Sequence, residues 1–233
     1  MTELTAIDIL INPDEAALAR ARALNARVLR SVPDGFALDT AHAPHVTTLQ
    51  RFVRTADLNR VYDAVEKTIA ETEVSALQLR AIAIRHADWG VPGQGLAVLQ
   101  IQPNAAMLDY QARLLAAVSP YVESGGTAAA FVTDADDPDI SQSTIDWVEN
   151  FVPAQIGAGY VPHITVGFAT LADLKEIEAA AFDAFDVHLA SAAVYHLGNN
   201  GTARRQLKAW PLSTYIRAVP DATPGSPASV LQG

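Results

Sequence analysis

Two copies of the tetrapeptide Pro-His-x-Thr, Pro44-His45-Val46-Thr47 and Pro162-His163-Ile164-Thr165, are the residues of this chain best equipped for chemistry. Of the six histidines, only His45 and His163 follow a proline, and only these two have Ser or Thr two positions on. Imidazole accepts a proton when neutral and donates one when charged, while a threonine hydroxyl hydrogen-bonds a non-bridging phosphate oxygen. A pair of such motifs suits acid–base chemistry on a phosphate ester.

In an extended strand, residues i and i+2 share a face. His45 with Thr47, and His163 with Thr165, would each present an imidazole and a hydroxyl on one side, with Val46 and Ile164 turned into the core. Arg51 has the same parity as His45 and Thr47, so a regular strand would put its guanidinium beside a phosphate; the alternative is an edge or surface arginine. Tyr160, just ahead of the second motif, either stacks on a base or packs on the core. Neither motif carries a carboxylate or a third imidazole, which falls short of a zinc site, so neither metal nor cofactor is expected.

The remaining candidates read as ordinary structure. His42, His86, His188 and His196 have no repeated partner. The acidic run around Asp134, Asp137 and Asp139 lacks the glycine of a calcium loop and has Ile145 where that loop needs Glu. The glycines of Gly90-Val91-Pro92-Gly93-Gln94-Gly95 are in the wrong order for a dinucleotide site and read as a turn.

The two complete motifs, His45-Val46-Thr47-Thr48 and His163-Ile164-Thr165-Val166, resemble the signature of the two-histidine (2H) phosphoesterases, which include RNA ligase-like proteins and cyclic phosphodiesterases. The segment from Tyr195 to Ala203, followed by Leu207-Lys208-Ala209-Trp210, is similar to the closing hairpin of the RNA ligase-like branch, so the resemblance covers about residues 5 to 215. It implies an α+β fold of two pseudo-symmetric lobes, each a small antiparallel sheet with flanking helices, around a central cleft that the motif strands face. It also implies metal-independent phosphodiesterase chemistry on a nucleoside 2′,3′-cyclic phosphate or a related RNA terminus. One histidine would be the base and the other the acid, with Thr47 and Thr165 holding the non-bridging oxygens. Near-symmetric motifs leave the two roles open, although the family pattern suggests that His163 faces the nucleophile. RNA 2′-5′ end joining or trimming, and non-catalytic binding of a nucleotide or RNA end, are the alternatives.

The elements that must carry these motifs follow from pattern. A strand over 6–11 leads into Asn12-Pro13-Asp14-Glu15, which reads as an N-cap, a proline at the first helical position and a capping-box Glu opening a helix to about Arg30. The first motif strand spans about 45–53, and Leu58, Val61, Val65 and Ile69 form an apolar helical stripe. An antiparallel pair is expected near 75–85 and 96–102, with helices near 104–118, 143–152 and 171–182. Strands near 186–197 and 203–213 flank the Asn200-Gly201 turn. A β-α-β-β order thus occurs twice, which suggests one bilobal domain over 1–220. Its first motif lobe would lie near 31–102 and its second near 143–215, with a flexible tail over 221–233.

Composition limits the partners. The chain of 233 residues has no cysteine, which removes disulfides, thiol nucleophiles and cysteine metal clusters. Sixteen Lys and Arg against 26 Asp and Glu give a net charge of −10, which opposes binding to a long nucleic acid because that affinity comes mainly from phosphate neutralisation. A small cyclic phosphate or an RNA terminus is the expected partner, bound by a monomer. No apolar run reaches the length of a membrane span and the N-terminus has no basic signal region, so a cytoplasmic location is expected.

Overall fold

In the computed structural model, which describes residues 2–212 apart from 41, 73, 75, 76 and 136, the chain begins with β1 (Leu4–Pro13), α1 (Glu15–Val28), β2 (Val46–Arg54) and α2 (Leu58–Glu71). It continues through β3 (Leu79–Ala87), β4 (Gln94–Ile101), α3 (Ala105–Val118), α4 (Gln142–Glu149) and α5 (Phe151–Gln155). It closes with β5 (His163–Thr170), α6 (Leu171–Ala179), β6 (Phe185–Val187), β7 (Leu189–Leu197) and β8 (Ala203–Pro211). The stretch 221–233, read as a tail, lies outside the described residues.

The fold is α+β, and its strands form one antiparallel sheet in the order β6-β3-β4-β5-β2-β1-β7-β8. That sheet is two four-stranded halves held together at one point, the pairing of Val46 on β2 with Ile164 on β5. The halves do not follow the contiguous division into 31–102 and 143–215. The β3-β4 pair lies beside β5 of the second motif, while β7 and β8 extend the sheet beside β1. Strands are exchanged between the halves because each motif strand needs a long neighbour on its outer edge, and β1 and β4 fill those places.

The central strand β1 is apolar on both faces, with Ile7, Ile9 and Ile11 turned to the main core and Ala6 and Leu10 to two smaller clusters on the other side. Such a strand reads as a near-continuous hydrophobic run. Its one charged residue is Asp8, fully buried. The main core lies between the sheet and α1, α2, α3 and α6, where the expected stripe of α2 appears as buried Val61, Val65 and Ile69.

Two local differences have physical causes. The first helix starts at Glu15 with Asp14 as N-cap, its carboxylate accepting from the Ala17 N–H at 3.1 Å. Asn12 and Pro13 are unavailable for that role because they continue the β1–β7 ladder, opposite Ser191 and Leu189. The expected helix over 143–152 is split into α4 and α5 at Asn150. The turn between β7 and β8 holds Asn200 at φ 55° and Gly201 at φ 71°, the left-handed pair that the Asn-Gly signal calls for.

Candidate active site

The two motifs meet at the junction of the half-sheets. Val46 and Ile164 are paired and fully buried in the helix-side core, so His45, Thr47, His163 and Thr165 project from the opposite face. Continuing the antiparallel register by one residue in each direction sets His45 across from Thr165 and Thr47 across from His163. Each threonine of the junction therefore lies next to the histidine of the other motif.

Both imidazoles are fixed in the same way. His45 Nδ1 lies 2.7 Å from the carbonyl oxygen of Ala43, and His163 Nδ1 lies 2.8 Å from that of Val161. A carbonyl only accepts, so Nδ1 carries the hydrogen in each ring and Nε2 keeps the lone pair available for proton transfer. The proline between acceptor and histidine explains its presence in both motifs. Its fixed φ and the extended conformation it imposes on the preceding residue direct that carbonyl to the ring.

A β-bulge follows each motif at the same place. On β2 the register passes from Leu10↔Thr47 to Ile9↔Leu49, leaving Thr48 extra; on β5 it passes from Val98↔Thr165 to Ala97↔Gly167, leaving Val166 extra. The extra residue drops out of the ladder, so its carbonyl needs another donor. Buried amides supply it: Gln111 Nε2 of α3 donates to Thr48 O at 3.0 Å, and Asn25 Nδ2 of α1 donates to Val166 O at 2.8 Å. Gly167, at φ 149°, follows the second bulge, and a Cβ there would lie 3.0 Å from that Asn25 nitrogen.

The first bulge reverses the expectation for Arg51. Thr47 Oγ1 and Gln50 Nε2 both donate to Asp8 Oδ2, at 2.8 and 2.9 Å, so Gln50 shares the face of Thr47 and Arg51 turns to the other side. Burial works against its charge, nearby Glu149 supports it, and its Nε is buried without a partner. Arg51 is therefore not a cleft residue. Tyr160 is 5% exposed and donates its hydroxyl hydrogen to Thr47 O at 2.6 Å, which places it in the core as a brace for the motif strand rather than on a base-stacking surface.

Pattern reading missed Asp8, Gln50 and Trp147. Asp8 Oδ2 lies 3.6 Å from His45 Nε2. The Trp147 indole donates to Gln50 Oε1 at 3.0 Å, while its ring remains 39% exposed at the rim of the site. The only sequence signal for Asp8 was a lone carboxylate in the apolar run Thr5-Ala6-Ile7-Asp8-Ile9-Leu10-Ile11. The second half has no counterpart, because the positions equivalent to Asp8 and Gln50 hold the paired Leu96 and Phe168.

The charges are correspondingly unequal. Burial lowers His45, opposed by its bond to the Ala43 carbonyl. Burial also lowers His163, opposed by the Val161 carbonyl, and charge on His45 depresses it further. Burial pushes the Asp8 carboxyl up to about 7 despite the bonds from Gln50 and Thr47. Among the described residues no three His, Asp or Glu side chains converge to hold a metal ion, and no helix is long and apolar enough to cross a membrane.

No protein-family model and no curated protein matches the chain. Solved structures do. E. coli LigT complexed with 3′-AMP is 12% identical over 91% of this chain and 99% of its own, with a TM-score of 0.47. LigT complexed with phosphate is 10% identical over 90% and 98%, and a protein described as a phosphoesterase is 12% identical over the same shares, both with TM-scores of 0.41.

Proposed function

We propose that this protein is a phosphodiesterase that opens a nucleoside 2′,3′-cyclic phosphate, or the equivalent RNA terminus, by two-histidine acid–base catalysis without a metal ion. The observation that carries the reading is the matched tautomer. Two imidazoles on facing strands are both held through Nδ1 and both leave Nε2 for the substrate. Structural histidines have no need of that duplication.

In the reaction, the phosphoryl group lies over the four motif residues. His163 is assigned as the base in keeping with the family pattern, which sets its strand toward the nucleophile, and its Nε2 takes a proton from water as the water oxygen bonds to phosphorus. His45, protonated at the start of the step, gives its Nε2 proton to the departing ribose oxygen as the P–O bond breaks. Thr165 Oγ1 and Thr47 Oγ1 hydrogen-bond the non-bridging oxygens, on which charge builds. The exposed face of Trp147 offers a stacking surface for the base, in place of the buried Tyr160.

The test compares turnover of adenosine 2′,3′-cyclic phosphate with that of a short RNA carrying the same cyclic end. Opening of either to a phosphomonoester in the presence of EDTA supports the reading. Strong binding of both with no turnover would establish a binding module instead, and turnover only in the joining direction, with a 5′-hydroxyl RNA, would establish an end-joining enzyme.

A further inference from the structure

The two motif threonines differ in what their hydroxyls can do. Among the described residues nothing hydrogen-bonds the Thr165 side chain, whereas Thr47 Oγ1 gives its hydrogen to Asp8 Oδ2 at 2.8 Å. A threonine hydroxyl has one hydrogen. While an Asp8 carboxylate holds it, Thr47 can offer a phosphoryl oxygen only lone pairs, which repel. The orientation of the remaining partner is fixed from outside: the Trp147 indole can only donate, so Gln50 turns Oε1 to it and Nε2 to Asp8. Asp8 Oδ1 is buried with no partner, an arrangement that costs a carboxylate more than a neutral acid.

We propose that Asp8 is a positioning residue of the phosphoryl site and acts there as a neutral acid. A proton taken from solvent onto Oδ2 reverses the hydrogen bond, so that Asp8 donates to Thr47 Oγ1 and Thr47 donates to the phosphoryl oxygen. The inference rests on the phosphoryl-site reading above. One proton enters from solvent, and no bond between heavy atoms forms or breaks. An incoming anion and a buried carboxylate repel each other, so binding the first favours protonation of the second. The carboxyl is already raised to about 7 by burial, which puts the proton within reach in the neutral range.

The titratable groups around Asp8 are His45, with Nε2 at 3.6 Å, Tyr160, whose hydroxyl feels its charge, and Tyr195, its cross-strand partner on β7. His163 lies beyond, coupled to His45. No Lys or Arg among the described residues forms an ion pair with Asp8, so no fixed cation keeps it ionised. The second half, with Leu96 and Phe168 in these places, leaves Thr165 free to donate without any proton uptake.

Inorganic sulfate tests this, because its charge is constant through the neutral range and no turnover is needed. Calorimetric titration in two buffers of different ionisation enthalpy counts the protons taken up on binding. At about pH 8 the wild type is expected to take up more protons than Asp8→Asn, by up to about one, since the histidines contribute to both proteins. Equal uptake, or loss of sulfate binding by the variant at acid and alkaline pH alike, overturns the proposal. A wild-type measurement covers a variant that fails to fold: the ¹³C carboxyl resonance of Asp8 should titrate at higher pH with saturating sulfate than without, and an unchanged or lower midpoint overturns it. Failure of the wild type to bind sulfate at any pH would instead remove the phosphoryl site itself.

Discussion

Replacing Asp8 with asparagine should stabilise the protein, and increasingly so as pH rises. The native carboxyl lies at about 7, above its ordinary 3.8, with burial the dominant cause. The unfolded chain therefore releases this proton first. The native-state advantage of a neutral Asp8 is complete below the unfolded value and is lost as pH climbs through the native one. A rise from 3.8 to about 7 corresponds to about 4 kcal/mol between strongly acid solution and about pH 8, and to about 3 kcal/mol between about pH 5 and about pH 8. Asparagine has no such dependence of its own, and His45, 3.6 Å from Asp8, adds only the smaller effect of losing a neighbouring carboxylate. Urea denaturation of the wild type and Asp8→Asn at several pH values measures the gap. It should widen in favour of the variant with rising pH; a constant gap, or a wild type that gains on the variant toward alkaline pH, would refute the buried-carboxyl argument.

Three further outcomes are expected. Trp147→Ala should raise KM for a cyclic nucleotide about tenfold and weaken inorganic phosphate inhibition much less, since the phosphate loses only the indirect support that the indole gives Gln50, with Trp147→Phe intermediate; equal losses for both ligands would show that the indole only supports Gln50. The pH dependence of kcat/KM should be bell-shaped and insensitive to EDTA. Its maximum should lie on the acid side of about 6.5, because burial lowers both histidines, whereas a single rising limb abolished by chelator would indicate metal-bound hydroxide. Affinity for a long single-stranded RNA should fall shallowly with salt, since the net charge is −10; a slope implying about six or more phosphate contacts would reveal a nucleic-acid groove.

What was legible in the sequence is what local pattern encodes. The alternation His45-Val46-Thr47 and His163-Ile164-Thr165 gave the face of each motif residue, and the Asn200-Gly201 turn and the α2 stripe followed from short-range rules. What pattern could not carry was the change in parity at Thr48, which depends on a carbonyl captured by Gln111 from a distant helix. That one inserted residue moved Arg51 off the site face and brought Gln50 onto it. Asp8 was equally hidden, since nothing on β1 announces a partner 39 residues away. Strand exchange between the halves escaped for the same reason: pairing partners are chosen by long-range packing, and the repeat in element order suggested two contiguous units instead.

The central claim is that His45 and His163 are the two proton-transfer groups of a phosphodiesterase. Turnover of adenosine 2′,3′-cyclic phosphate by wild type, His45→Ala and His163→Ala, with circular dichroism to show an intact fold, tests it most directly. Each substitution should lower turnover by about 10²–10⁴-fold, the usual contribution of a positioned general acid or base. A folded variant of either histidine that stays within a few-fold of a turning-over wild type would contradict the account.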